Sequence, residues 1–149
     1  MGRVKVCKEV TFDCAHMLTG HGALCKNLHG HTYKLQVEII NEQIEGGSSA
    51  DMVLDFKVLK EVIRNEITDK FDHAVIFSGE KFRGAAENDL LEWAKKYSMR
   101  YYVMPRRTTA ENMAQHFQEL VKTELNKNGF ASAEVHIRVY ETPTSFAEV

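Results

Sequence analysis

The chain is poor in proline, with two in 149 residues, and poor in cysteine, with three, and neither charge sign dominates it. Cys7, Cys14 and Cys25 form no even-numbered disulfide framework, and the N-terminus opens on a charged strand instead of an apolar leader, so a reducing cytoplasm is expected. Apolar runs extend only a few residues, too short for a membrane span. The formal net charge of −2 argues against a domain that grips a phosphate backbone, and no nucleic-acid motif occurs. Repeats and low-complexity tracts are lacking. The length suits a single domain over residues 1–149 with room for a core.

What is present begins with His29-Gly30-His31. Residues two apart on an extended chain face the same side, so both imidazoles can converge on one ion, with Gly30 letting the backbone pass close beside it. Upstream, Val4, Val6, Val10 and Phe12 alternate with Lys5, Cys7, Glu9 and Thr11 in a half-buried strand. Continued alternation puts His16 on its apolar face. Three histidines with a fourth position free are the ligand set of an open zinc site. Leaving three imidazoles buried without partners would be costly, which favours a metal reading. Ligand type points to zinc, with iron, nickel and copper open on residue type alone.

A second strand follows in Tyr33, Leu35, Val37 and Ile39, and His29 and His31 extend its inward face. Gly46-Gly47-Ser48-Ser49 reads as a turn or loop. Asp55 reads as the N-cap of a helix running to about Asp69, carried by Phe56, Leu59, Ile63 and Ile67, which leaves Phe71-Asp72-His73 in a connection. A weaker helix covers Glu87 to Tyr97, then a short strand Arg100 to Met104. Thr108 and Glu111 have the spacing of a capping box for a helix whose buried stripe is Ala110, Met113, Ala114, Phe117, Leu120 and Val121, ending at Gly129. Ala133, Val135, Ile137 and Val139 mark a third long strand, and Ser145 to Val149 a last short one. The order predicts an α+β fold, an antiparallel sheet with helices on one face. Open sheet edges call for pairing with other copies.

Cys25, four residues before His29, reads as a fourth ligand, a nucleophile, a general base or an inert small residue; a nearby cation and imidazole would make its thiolate reactive. Cys14 is a rival ligand or a buried structural residue. Asp72-His73 reads as a solvated helix-end pair, or as a carboxylate orienting a proton-transferring imidazole with Cys25 as its counterpart. Glu141 continues the apolar face of Val139 and would need a donor partner there, such as adjacent N–H groups of a ligand. Thr109 and Glu111 fit helix capping, yet a helix N-terminus also attracts anions, and Arg106-Arg107 lies just before it.

These residues together resemble the family of 6-pyruvoyl-tetrahydropterin synthase and its bacterial relative, 6-carboxytetrahydropterin synthase. The matching pieces are Phe12 to His16, Cys25 to Tyr33, Met52 to Phe56, Phe71-Asp72-His73, Thr109 to Asn112 and Glu141-Thr142, in family order along nearly the whole chain. The resemblance implies the tunnelling fold, in which protomers join their sheets into a barrel, here as a homo-oligomer of tetramer or hexamer size. It implies Zn2+ on His16, His29 and His31, and Cys25 as general base. Asp72 and His73 become a relay that can come from a neighbouring subunit, Glu141 the anchor of a pterin ring, and Thr109 and Glu111 further substrate-binding residues. The implied substrate is 7,8-dihydroneopterin triphosphate. The short Cys25-to-His29 spacing resembles the carboxytetrahydropterin branch of queuosine biosynthesis, which also releases acetaldehyde. Pyruvoyl-branch activity and a non-catalytic zinc-stabilised pterin-binding oligomer are the alternatives. The chain departs from the pattern in a segment 78–104 longer than in compact relatives and in Arg106-Arg107-Thr108 before Thr109.

Overall fold

Alternation of side chains decides the architecture of the computed structural model, which describes residues 2–149. Strand β1 (Val4–His16) and strand β2 (His29–Asn41) pair antiparallel along their full length, from Val4 opposite Asn41 to His16 opposite His29. One face of this ladder carries Phe12, Cys14, Tyr33, Leu35, Val37 and Ile39, all buried. Phe12 stacks on Tyr33 at 5.3 Å and receives the edges of Phe71 and Phe117. Burying each large apolar side chain contributes about 1.5–3 kcal/mol, so the ladder's inner face is one main wall of the core.

The Asp55 carboxylate caps helix α1 (Phe56–Ile63) by accepting from the Lys57 N–H at 2.8 Å. A π-helical stretch, Arg64–Thr68, and a last turn, α2 (Asp69–Phe71), prolong it slightly past the expected end. Strand β3 (Ala74–Phe77) follows the expected connection at Phe71-Asp72-His73, in residues to which the sequence assigned no element. Helix α3 (Ala85–Lys96) and strand β4 (Tyr101–Val103) fall close to their expected places. Helix α4 (Ala110–Lys127) begins one residue later than the Thr108 capping box predicts: Thr109 is the N-cap, its hydroxyl accepting from the Asn112 N–H at 3.3 Å. Strands β5 (Glu134–Thr142) and β6 (Ser145–Glu148) complete the chain.

The six strands form one sheet in the order β4-β3-β1-β2-β5-β6. The sheet is mixed where a purely antiparallel one was expected, because β3 runs parallel to β1, and β4 parallel to β3. Parallel neighbours need a long crossover, and the stretch containing α3 supplies it between β3 and β4. Helix residues Leu59, Ile63, Ile67, Phe71, Met113, Phe117 and Val121 close the main core over the sheet. Val75 and Phe77, on the alternate side of β3, pack with Leu91 and Ala94 of α3 in a smaller cluster. Strands β4 and β6 are the outer strands of the sheet. No helix among the described residues is long and apolar enough to cross a membrane.

Candidate active site

The register that pairs Phe12 with Tyr33 also pairs Cys14 with His31 and His16 with His29, so the three histidines end the core face of the β1–β2 ladder. Their ring centroids are 4.7 Å (His16–His29), 5.4 Å (His16–His31) and 5.0 Å (His29–His31) apart. One ligand nitrogen from each lies within 4.8 Å of the others. Backbone carbonyls set the tautomers. His16 Nδ1 is 2.8 Å from the Thr108 carbonyl and 3.2 Å from its hydroxyl, and His29 Nδ1 is 2.7 Å from the Asn27 carbonyl. Because a carbonyl only accepts, each Nδ1 carries the hydrogen and each Nε2 keeps a free lone pair.

The Nε2 atoms of His16 and His31 are buried without a hydrogen-bond partner. Such atoms cost about 1–3 kcal/mol each unless something supplies the missing contact. A cation between the rings supplies it, and three imidazole nitrogens suit a borderline-soft divalent metal. Burial pushes the His16 pKa down to about 4, reinforced by His29 and His31 and opposed by the Thr108 hydrogen bond. Burial also lowers that of His31, against the pull of Glu141. Both rings are therefore held toward the neutral, ligating form at pH 7.

Glu141 follows the last β2–β5 pair, Lys34 with Tyr140, and keeps to the inward face as its alternation predicts. Its Oε1 lies 3.6 Å from His31 Nε2, beyond hydrogen-bonding distance. With Leu18, Thr109, Glu111 and Phe146 it lines a cavity of about 230 Å³, and with His31, Lys34, Tyr140 and Pro143 another of about 500 Å³. The structure thus brings Glu141, Thr109 and Glu111 together, next to the imidazole group. The hydroxyl of Thr109 also remains the cap of α4.

Cys25 sits in a single 3-10 turn, Leu24–Lys26, partly buried, and its carbonyl accepts from the Leu18 N–H at 2.9 Å. Its sulfur is outside the group of mutually close ligand atoms formed by the three histidines. Cys14 faces His31 from within the core, and burial pushes its thiol pKa strongly up, which fits the structural reading. Asp72 and His73 lie on the reverse face of the sheet. There the Asp72 Oδ1 accepts from the Asp13 N–H at 3.0 Å and sits 3.0 Å from His73 Nδ1. The His73 N–H donates to the Asp13 carbonyl at 2.6 Å, holding His73 at a φ of 60°. The Asp13 hydrogen bond is the main cause of a lowered Asp72 pKa. One chain therefore does not join its Asp72-His73 pair to the face that carries its three histidines.

Gly30 has a different role from the one expected. Its missing side chain belongs to the reverse face, where a Cβ would come 3.3 Å from the Cys14 carbonyl, so the glycine relieves strand contact and opens the cavity lined by Asp13, Thr32 and His73. Sequence reasoning also missed three contributors: Thr108, which holds His16; Asn27, which holds His29; and Asp13, which seats Asp72. The doublet Thr108-Thr109 carried a signal, since only one of two adjacent threonines can cap a helix.

The model of the 6-pyruvoyl tetrahydropterin synthase family matches residues 5–149. The 6-carboxy-5,6,7,8-tetrahydropterin synthase of Haemophilus influenzae is 40% identical over 144 residues, covering 97% of this chain and 96% of its own length. That of Rickettsia felis is 31% identical, covering 98% and 99%. Among solved structures, a catalytic residue mutant of Plasmodium vivax 6-pyruvoyltetrahydropterin synthase superposes with a TM-score of 0.75 at 18% identity, covering 100% of this chain and 98% of that one. The Plasmodium falciparum 6-pyruvoyl tetrahydropterin synthase gives 0.74 at 19%, with the same coverage. At these identities the structural likeness speaks for the fold, and the fold is the expected tunnelling one.

Proposed function

Since the chain belongs to the 6-pyruvoyl tetrahydropterin synthase family, and is thereby an enzyme of the lyase kind, we propose that it is a zinc-dependent 6-carboxy-5,6,7,8-tetrahydropterin synthase. It converts 7,8-dihydroneopterin triphosphate and water to 6-carboxytetrahydropterin, acetaldehyde and triphosphate. The setting is the cytoplasm and the use is queuosine and related 7-deazapurine synthesis. The observation that carries this reading is the group of three imidazoles, two of them with buried, unpartnered Nε2 atoms, next to a carboxylate at the wall of a cavity. Three converging imidazoles suit a metal ion, and the neighbouring carboxylate suits the N–H groups of a bound ring, which supports the reading.

His16, His29 and His31 would hold the ion, which when bound supplies Lewis-acid stabilisation of negative charge on oxygen. Glu141 binds the pterin by accepting two parallel N–H bonds, with Thr109 and Glu111 completing that wall. Cys25 removes a proton from the substrate side chain as general base, and the Asp72-oriented His73 of a neighbouring subunit exchanges protons with it. Placement of the Asp72-His73 pair on the reverse face supports sharing between copies in a homo-oligomer, a tetramer or hexamer. Mass spectrometry of the products formed from 7,8-dihydroneopterin triphosphate tests the assignment. A 6-carboxy product with acetaldehyde is expected; a 6-pyruvoyl product would move the chain to the other branch, and tight pterin binding without turnover would make it a binding protein.

A further inference from the structure

Residues 17–28 join His16 directly to His29, and the tip, Gly20–Leu24, is exposed. A connection of this length keeps one conformation only where something outside it holds it. Three hydrogen bonds from elsewhere in the chain converge on one of its residues, Thr19. The Thr19 hydroxyl donates to Glu87 Oε2 at 2.7 Å and accepts from the Gly84 N–H at 3.3 Å, while Arg107 Nη2 donates to the Thr19 carbonyl at 2.9 Å. Next to it the Leu18 N–H holds the Cys25 carbonyl, so fixing residue 19 also fixes the strut on which Cys25 rests.

Glu87, on α3, is fully buried, and its other oxygen accepts from the Ser78 N–H at 2.8 Å. A carboxylate is an expensive side chain to bury, and an apolar residue of similar volume would hold α3 at least as well. What the carboxylate adds is direction, because it fixes two distant segments, residue 19 and residue 78, to one point. Gly84 fits the same design: a Cβ there would stand 2.7 Å from Thr19 Cγ2, so any side chain at the start of α3 would push the Thr19 methyl from its present place. Three successive residues finish the arrangement. Arg107 holds Thr19, Thr108 holds His16, and Thr109 caps the helix that bears Glu111.

We propose that Thr19 and Glu87 are positioning residues, a clamp by which the 78–104 segment fixes the Cys25 connection beside the three-histidine group. The consequence for catalysis rests on the reading of Cys25 as general base; the clamp itself does not. Amide hydrogen exchange over residues 18–27 of the purified full-length protein tests it. Thr19→Val should raise exchange in that stretch by about tenfold or more while β1 and β2 stay protected, and Thr19→Ser should restore it. Gly84→Ala, which presses on Thr19 without removing its hydroxyl, should loosen the same stretch and keeps the test decisive if Thr19→Val does not fold. Unchanged loop exchange in the folded variants would overturn the clamp whatever the activity. In steady-state assays the loosened variants should lose roughly tenfold or more in kcat with KM little altered. Full kcat with a loosened loop would overturn the positioning of Cys25 and leave the proposed function standing. A wild-type chain without turnover would overturn the proposed function, and the exchange comparison would still decide the clamp.

Discussion

At the scale of single residues, the arrangement turns on which nitrogen of each histidine is engaged. His16 and His29 spend Nδ1 on carbonyls, which aims Nε2 inward, so truncation should remove the ion without replacing its contacts. His29→Ala and His31→Ala should fall from about one zinc per chain to near none by metal analysis; full occupancy in both would refute the ligand set. Cys25→Ala should keep its zinc and lose most of its activity, whereas joint loss would make the sulfur a ligand. Glu141 presents a charge at the end of a strand face of methyl groups. Removing one partner of a buried charged contact costs roughly 2–5 kcal/mol, so Glu141→Ala should weaken binding of a non-reactive pterin tens-fold or more. Titration calorimetry reads this directly, and unchanged affinity would show that another residue anchors the ring.

At the scale of elements, α4 carries a buried histidine of its own, away from the three-histidine group. His116 Nε2 meets the Tyr102 hydroxyl at 2.7 Å, and burial, aided by Arg106 and Lys70 and opposed by Glu119, lowers its pKa. A histidine depressed in the folded state favours folding above its unfolded pKa of about 6.5, and that contribution fades as pH falls through this value toward the folded one. Urea midpoints of the metal-free protein should therefore drop between about pH 7 and about pH 5, with His16 and His31 contributing beside His116, and His116→Gln should make the drop smaller without abolishing it; an unchanged drop would place the acid sensitivity in the other histidines. The long strands and α4 were legible in the sequence because periods of two and of 3.6 persist over many residues. Ala74–Phe77 was not, since four consecutive apolar residues carry no alternation and their parallel pairing with β1 is a long-range choice. The His29-x-His31 pair was legible for the same local reason, while the hold of Thr108 on His16 spans ninety-two positions and left only the threonine doublet as a trace.

At the scale of the whole molecule, the two faces of one sheet carry different halves of the proposed chemistry, the histidines on one and Asp72-His73 on the other. If sites are shared, mixing Cys25→Ala with His73→Ala chains under subunit exchange should recover part of the activity that each lacks. Demonstrated exchange without recovery would favour sites built within one chain. The β1–β2 ladder runs in unbroken register from Val4 and Asn41 to His16 and His29. A one-residue insertion in either strand would turn every side chain beyond it to the opposite face, carrying an imidazole to the reverse side. Changes of length compatible with the three-histidine group are thereby kept out of β1 and β2. In β1 and β2, an insertion or deletion of odd number would dismantle the site with every ligand residue still present in the sequence.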